Sequence, residues 1–353
     1  MKMNDKAKAN QIINACCACA TDDGIWFIHY VLPILMFYSY KDEKVIFAKT
    51  IPSGKIIYPF NIYSSLHISG NKLFMFALCA YDSFVYDISN DAFKIIDLKK
   101  NGDGLGFWGS VVWEKNIYVI PAEGKKIVKI NIDNEEIEYI RIDVAIPFLN
   151  GISFDKDKIV GATTNISGIF QYDIQEGRAK IVYINDRKCA IGSVVYLDGK
   201  YYGYDIESQS VVRFSPMGII EEQSKCFETK GAVVSHTCDG MIILDDNYSG
   251  RIFLLDKKLE VLEVIETKIP KSNLVSSYLA GCWFSKLNKT YVIAKSNEII
   301  KLENKKIDRT VLRMDEQLWE RIAKEHIDEK LYYSNNIIEE DELCNLRAFL
   351  INL

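Results

Sequence analysis

The chain has 353 residues, 48% of them hydrophobic, and a formal charge of −5 from 43 basic and 48 acidic side chains. Its lysines are interspersed with acids rather than gathered in one stripe, which argues against nucleic acid as a partner. No run approaches the roughly 18 apolar residues of a membrane span, so no membrane association is expected.

At the N-terminus, Lys2, Lys6 and Lys8 precede an apolar stretch, but Asn10, Gln11 and Asn14 interrupt it. That pattern reads as a short extension over residues 1–14 rather than an export signal, and the expected location is the cytoplasm. Nine cysteines, an odd number without regular pairing, read as reduced thiols. Cys16 and Cys19 have CxxC spacing, yet they fall in a predicted strand where they lie about 10 Å apart on opposite faces, too far for a disulfide.

From residue 15 onward one unit recurs. Its first strand begins at glycine in Gly109-Ser-Val-Val-Trp113, Gly151-Ile-Ser-Phe154, Gly192-Ser-Val-Val-Tyr196, Gly231-Ala-Val-Val-Ser235 and Gly281-Cys-Trp-Phe284, with Cys16 and Ser65 in the same slot earlier. A turn and a second strand follow, as in Ile25-Trp-Phe-Ile28, Leu73-Phe-Met-Phe76 and Met241-Ile-Ile-Leu244. The connections Asp22-Asp23-Gly24, Asp198-Gly199 and Asp239-Gly240 have hairpin chemistry. Third strands such as Ser83-Phe-Val-Tyr-Asp87 and fourth strands such as Val261-Leu-Glu-Val264 complete each copy.

Seven copies at a period of about 40 to 49 residues predict an all-β fold, a seven-bladed β-propeller of four-stranded antiparallel blades over residues 15–313. Glycine suits the first strand because inner strands crowd around one axis, where a residue without Cβ permits close approach. The rhythm from Gly192 to Ser215 resembles that of bacterial kelch-like β-propeller proteins, and the resemblance spans residues 15–313. It implies the fold and no activity. The double glycine of kelch repeats, the Trp-Asp of WD repeats and the Ser-x-Asp-x-Gly-x-x-Trp box of sialidases are all missing.

After Arg313 the pattern becomes helical. Asp315 is the expected N-cap of a first helix with Leu318, Trp319, Ile322 and His326 on one face. A second amphipathic stretch begins at Glu339 and carries Leu343, Leu346, Leu350 and Leu353. This tail, residues 314–353, either packs on the propeller or serves self-association through the last helix.

Chain direction puts the loops entering each first strand on the same face as those joining second to third strands. Just before the glycine slot that face carries Ser64, Trp108, Asn150, Ile191, Lys230 and Ala280, and the neighbouring loops add Tyr81, Asp82, Asp205, Asp245, Asp246, Asn247 and Tyr248. Ser64, Tyr81, Trp108, Asn150, Asp205, Lys230, Asp246 and Tyr248 are therefore the candidate ligand-binding residues. Aromatic rings among amides and acids suit a protein or carbohydrate ligand, although turns use Asp, Asn and Ser in any case.

Gly102-Asp-Gly-Leu-Gly106 has the look of a phosphate loop but leads into a strand rather than a helix, so it reads as a connector. His29, His67 and His236 occupy different strand positions and suggest no metal site or triad. No cofactor, metal or catalytic set is expected. The leading expectation is a non-enzymatic binding scaffold. The alternative is a carbohydrate- or metabolite-active enzyme with a carboxylate pair drawn from Asp205, Asp245 and Asp246.

Overall fold

The computed structural model describes residues 15–30, 32–54, 56, 62–98, 106–147, 149–155, 157–163, 166–184, 191–229, 232–246, 250–267, 281–286, 289–294 and 298–328. Seven four-stranded antiparallel sheets are present, and in each the strands lie side by side in chain order. The blades cover residues 15–50, 63–96, 107–146, 149–183, 191–223, 232–266 and 281–311. The fold is therefore a seven-bladed β-propeller with one short C-terminal helix, α1 (Glu316–Asp328). The expected second helix, from Glu339, lies outside the described residues.

The local chemistry read from the sequence explains the blades. Asp198 and Gly199 (φ 50° and 80°) and Asp239 and Gly240 (φ 50° and 76°) take the paired left-handed geometry of tight hairpins. At Gly109 a Cβ would sit 2.9 Å from the Cδ1 of Ile152 on the next blade's inner strand, the crowding expected near the axis.

A propeller blade is apolar on both sides, and here the buried side chains sort into seven clusters, one for each seam between neighbouring blades. Phe74, Phe76, Phe107 and Ile117 fill the seam of blades 2 and 3, for example, and Tyr118, Ile159, Phe170 and Tyr172 that of blades 3 and 4.

Because every blade is built from consecutive strands, no strand among the described residues is shared between blades 7 and 1. The tail ties the two. The Val45 amide donates to the Arg313 carbonyl at 2.7 Å, and Val45 and Met314 form a parallel bridge along the outer strand of blade 1. Asp315 then caps α1, its Oδ1 accepting from the amides of Gln317 (3.1 Å) and Leu318 (3.4 Å). Trp319 (4% exposed) and Ile322 (1%) bury themselves with Met36, Tyr38 and Val45 of blade 1 and Ile299 of blade 7.

Candidate functional site

The inner strands share an irregularity at their entrance to the axis. In blade 1 Ala15 pairs with His29 and Cys17 with Ile28, leaving Cys16 as an extra residue. In blade 2 the extra residue is Ser64, and in blade 3 Trp108. Asn150 and Gly151 stand opposite one partner position in blade 4, as Gly192 and Ser193 do in blade 5. A bulge of this kind bends the strand, and of the residues predicted to ring the axis Ser64, Trp108 and Asn150 fall on one, whereas Ile191 keeps its pairing with Asp205. Blade 6 places its bulge deeper, between Val234 and His236.

Ser64 and Trp108 are half-buried at this mouth. The Ser64 hydroxyl donates to the Phe76 carbonyl at 3.3 Å, and Trp108 rests against the core of blades 3 and 4. Tyr81, in the loop after the second strand of blade 2, is 55% exposed, and Ile206, in the matching loop of blade 5, is 51% exposed. Asn150 is placed by its backbone on the blade 4 bulge. Lys230 and Tyr248 lie outside the described residues, as do Asn247 and Ala280. Ile191 is buried in the seam of blades 4 and 5.

The two acidic candidates have a different setting. Each second strand ends opposite the first residue of its inner strand, and this position holds His29, Ala77, Thr163, Asp205 and Asp246 in blades 1, 2, 4, 5 and 6. The polar members close the loop that follows. His29 Nδ1 accepts from the Leu32 amide at 3.0 Å, and the Thr163 hydroxyl is 2.6 Å from the Ile166 carbonyl. Asp205 accepts from the Glu207 amide at 3.2 Å and the Ser208 hydroxyl at 2.6 Å. Asp246 accepts from the Thr229 hydroxyl at 3.0 Å and from Arg251 at 3.1 Å. Both carboxylates are buried and engaged by neighbouring segments. Asp245 is buried too, and as the neighbour of Asp246 in one strand it points to the opposite side of the sheet.

One cluster was not anticipated. His67 does have a partner: its Nε2 lies 2.6 Å from the Ser110 hydroxyl on blade 3, which is also 2.6 Å from the Ser65 hydroxyl. The signal available in the sequence was that Ser65 and Ser110 lie at or beside the glycine slot of adjacent blades. Desolvation by the surrounding protein pushes the His67 imidazolium down from its ordinary value to about 4. Burial does the same to His236. Cys16, Cys17, Cys19, Cys79, Cys226 and Cys238 are free thiols, and burial pushes that of Cys19 up to about 12. No helix is long and apolar enough to cross a membrane, and no cluster of three metal-ligating side chains occurs, both among the described residues.

No family model matches the sequence, and no curated protein does. Solved structures do share the fold. Virginiamycin B lyase from Staphylococcus aureus is similar with a TM-score of 0.63 at 12% identity, covering 82% of this chain and 94% of that one. BamB from Moraxella catarrhalis is similar with a TM-score of 0.54 at 12% identity, covering 81% and 82%. Dihydro-heme d1 dehydrogenase NirN gives 0.55 at 12% identity, covering 82% and 64%. At such identities the likeness is one of fold, and the kelch-like resemblance is likewise supported only as far as the propeller itself.

Proposed function

We propose that the protein is a binding scaffold recognising a protein or a glycan through the axial mouth that carries Ser64, Trp108 and Asn150. The observation that carries this reading is the repeated bulge. In blades 2, 3 and 4 it frees Ser64, Trp108 and Asn150 from regular pairing at the same end of the inner strand. Trp108 is the anchor, a large ring fixed on one side by core packing and open on the other. Tyr81 and Ile206 extend the surface outward.

The enzymatic alternative, a carboxylate pair acting on a sugar, is less well supported. Asp205 and Asp246 each spend their oxygens on contacts that shape neighbouring segments. Virginiamycin B lyase, of the same fold, has been solved with quinupristin, which makes ligand binding a use already found for such a propeller.

A glycan array and a panel of purified candidate proteins, probed with the full chain, would identify the ligand. Trp108→Ala should then weaken its binding by about 10- to 100-fold, as loss of a central aromatic anchor does. Tyr81→Ala, which removes the exposed ring further out, should weaken it less. Unchanged binding by both variants, with native melting behaviour, would overturn the assignment.

A further inference from the structure

The contact of Ser65, His67 and Ser110 lies one step further along the inner strands that carry Ser64 and Trp108, and it goes beyond the binding reading. Ser65 and His67 are two apart in the inner strand Tyr63–Ser69, so they project to one side of their sheet. Both reach the same hydroxyl of the next blade, at 2.6 Å each. All three residues are half-buried, and Val112, two along from Ser110, is 42% exposed. The inner wall is therefore wetted at this depth. Among the described residues the strand Phe107–Trp113 pairs with Asn116–Pro121 along one edge, and its other edge faces the axis.

A hydroxyl bridging two blades need not be reactive. Between blades 5 and 6 the Ser193 hydroxyl donates to the Val234 carbonyl at 2.6 Å, and a carbonyl cannot take the proton away. Ser110 differs because its neighbour is an imidazole nitrogen.

We propose that Ser110 is a nucleophile with His67 as its base, and that it accepts the acyl group of a small carboxylic ester entering along the axis. Ser110 Oγ bonds to the acyl carbon as its proton passes to His67 Nε2. The bond from that carbon to the alcohol oxygen breaks, and the departing alcohol takes the proton from Nε2. Water then attacks the acyl-serine, giving its proton to Nε2 and restoring Ser110 as the carboxylic acid leaves. The strand-edge N–H groups are the donors available to the oxyanion. The reaction uses the Nδ1–H tautomer with Ser65 donating to Ser110 Oγ, one of the arrangements that these two contacts allow. With its imidazolium at about 4, His67 is neutral near pH 7 and ready to accept, and its weak basicity sets a modest rate.

The test is covalent labelling of the full chain with a small alkyl fluorophosphonate, followed by mass mapping of the modified peptide. Label should fall on Ser110, be absent in Ser110→Ala, and form at least about 100-fold more slowly in His67→Gln. The rate should be flat from pH 5.5 to 8, because the base is already neutral there, whereas an unassisted serine would gain rate with hydroxide. Ser193→Ala, which removes the hydroxyl bridge between blades 5 and 6, should label at the native rate, which separates this centre from a merely bridging serine. Native protein that stays unlabelled, label on another residue, or an unchanged rate in folded His67→Gln would each overturn the proposal.

Discussion

Two seams of the ring are held by different means. Blades 7 and 1 meet through an apolar cluster that, among the described residues, alone recruits side chains beyond the last strand: Leu312, Met314, Trp319 and Ile322. Its polar contacts lie at the rim: Arg321 reaches the Ala48 carbonyl at 2.6 Å and the Val45 amide the Arg313 carbonyl at 2.7 Å, while Lys44 meets Asp315 at 3.5 Å and Thr50 meets Glu325 at 3.1 Å. The seam of blades 2 and 3 adds side-chain polar contacts between the blades themselves. Ser65, His67 and Ser110 lie toward the axis, and Glu135 bridges Lys72 and Lys94 at the opposite face. Adjacent blades joined by chain need only local adjustment. Across the seam of blades 7 and 1 no described segment runs directly from one blade into the next, and the tail adds its burial there.

Removing that burial should have the largest effect. Trp319→Ala deletes a nearly inaccessible indole from the closing cluster and should destabilise the protein by about 3 to 5 kcal/mol, the range for aromatic truncation in a core. Urea unfolding read by tryptophan fluorescence and far-UV circular dichroism measures it. A loss under about 1 kcal/mol would mean that α1 decorates blade 1 without closing the ring.

Acid should discriminate the seams next. His67 and His236 both titrate near 4 in the folded protein against about 6.5 unfolded. Between those values the unfolded chain binds protons that the folded chain excludes, so stability is greatest above about pH 6.5 and falls as pH drops toward 4. The urea midpoint should decline through this window. His67→Gln and His236→Gln should each flatten the decline, while Trp319→Ala lowers the midpoint by the same amount at every pH. A slope untouched by either histidine variant would refute the assignment.

The blades were legible because period, glycine slot and hairpin residues all report local backbone geometry, and each copy repeats the same report. The mouth was partly legible. Ser64, Trp108 and Asn150 could be placed one step before the slot, but their release by a bulge depends on register with the second strand, which one strand's sequence does not encode. Asp205 and Asp246 looked like chemistry because acids at loop starts serve ligands and turns alike. Their partners Ser208, Thr229 and Arg251 decide for the loops. His67 was illegible for the opposite reason: its partner lies 43 residues away, across a seam whose stagger emerges only on packing.

The smallest effect separates the polar staple from the apolar clasp most directly. Glu135 accepts from Lys72 at 2.5 Å and Lys94 at 2.7 Å, and these contacts, Lys72 first, hold its carboxyl below the usual range. A depressed carboxyl contributes stability above its ordinary value, about 4.3, and loses it as pH falls through the lowered one. Much of this bridge is open to water, with Lys94 72% exposed, so the contribution is small and screened by salt. Glu135→Gln should therefore cost about 0.5 to 1 kcal/mol at pH 7 and low salt, and less at 1 M sodium chloride. The cost of Trp319→Ala should persist at high salt because it arises from apolar burial. If both losses shrank together with added salt, the clasp would have to owe its strength to the contact of Lys44 with Asp315 rather than to the buried indole.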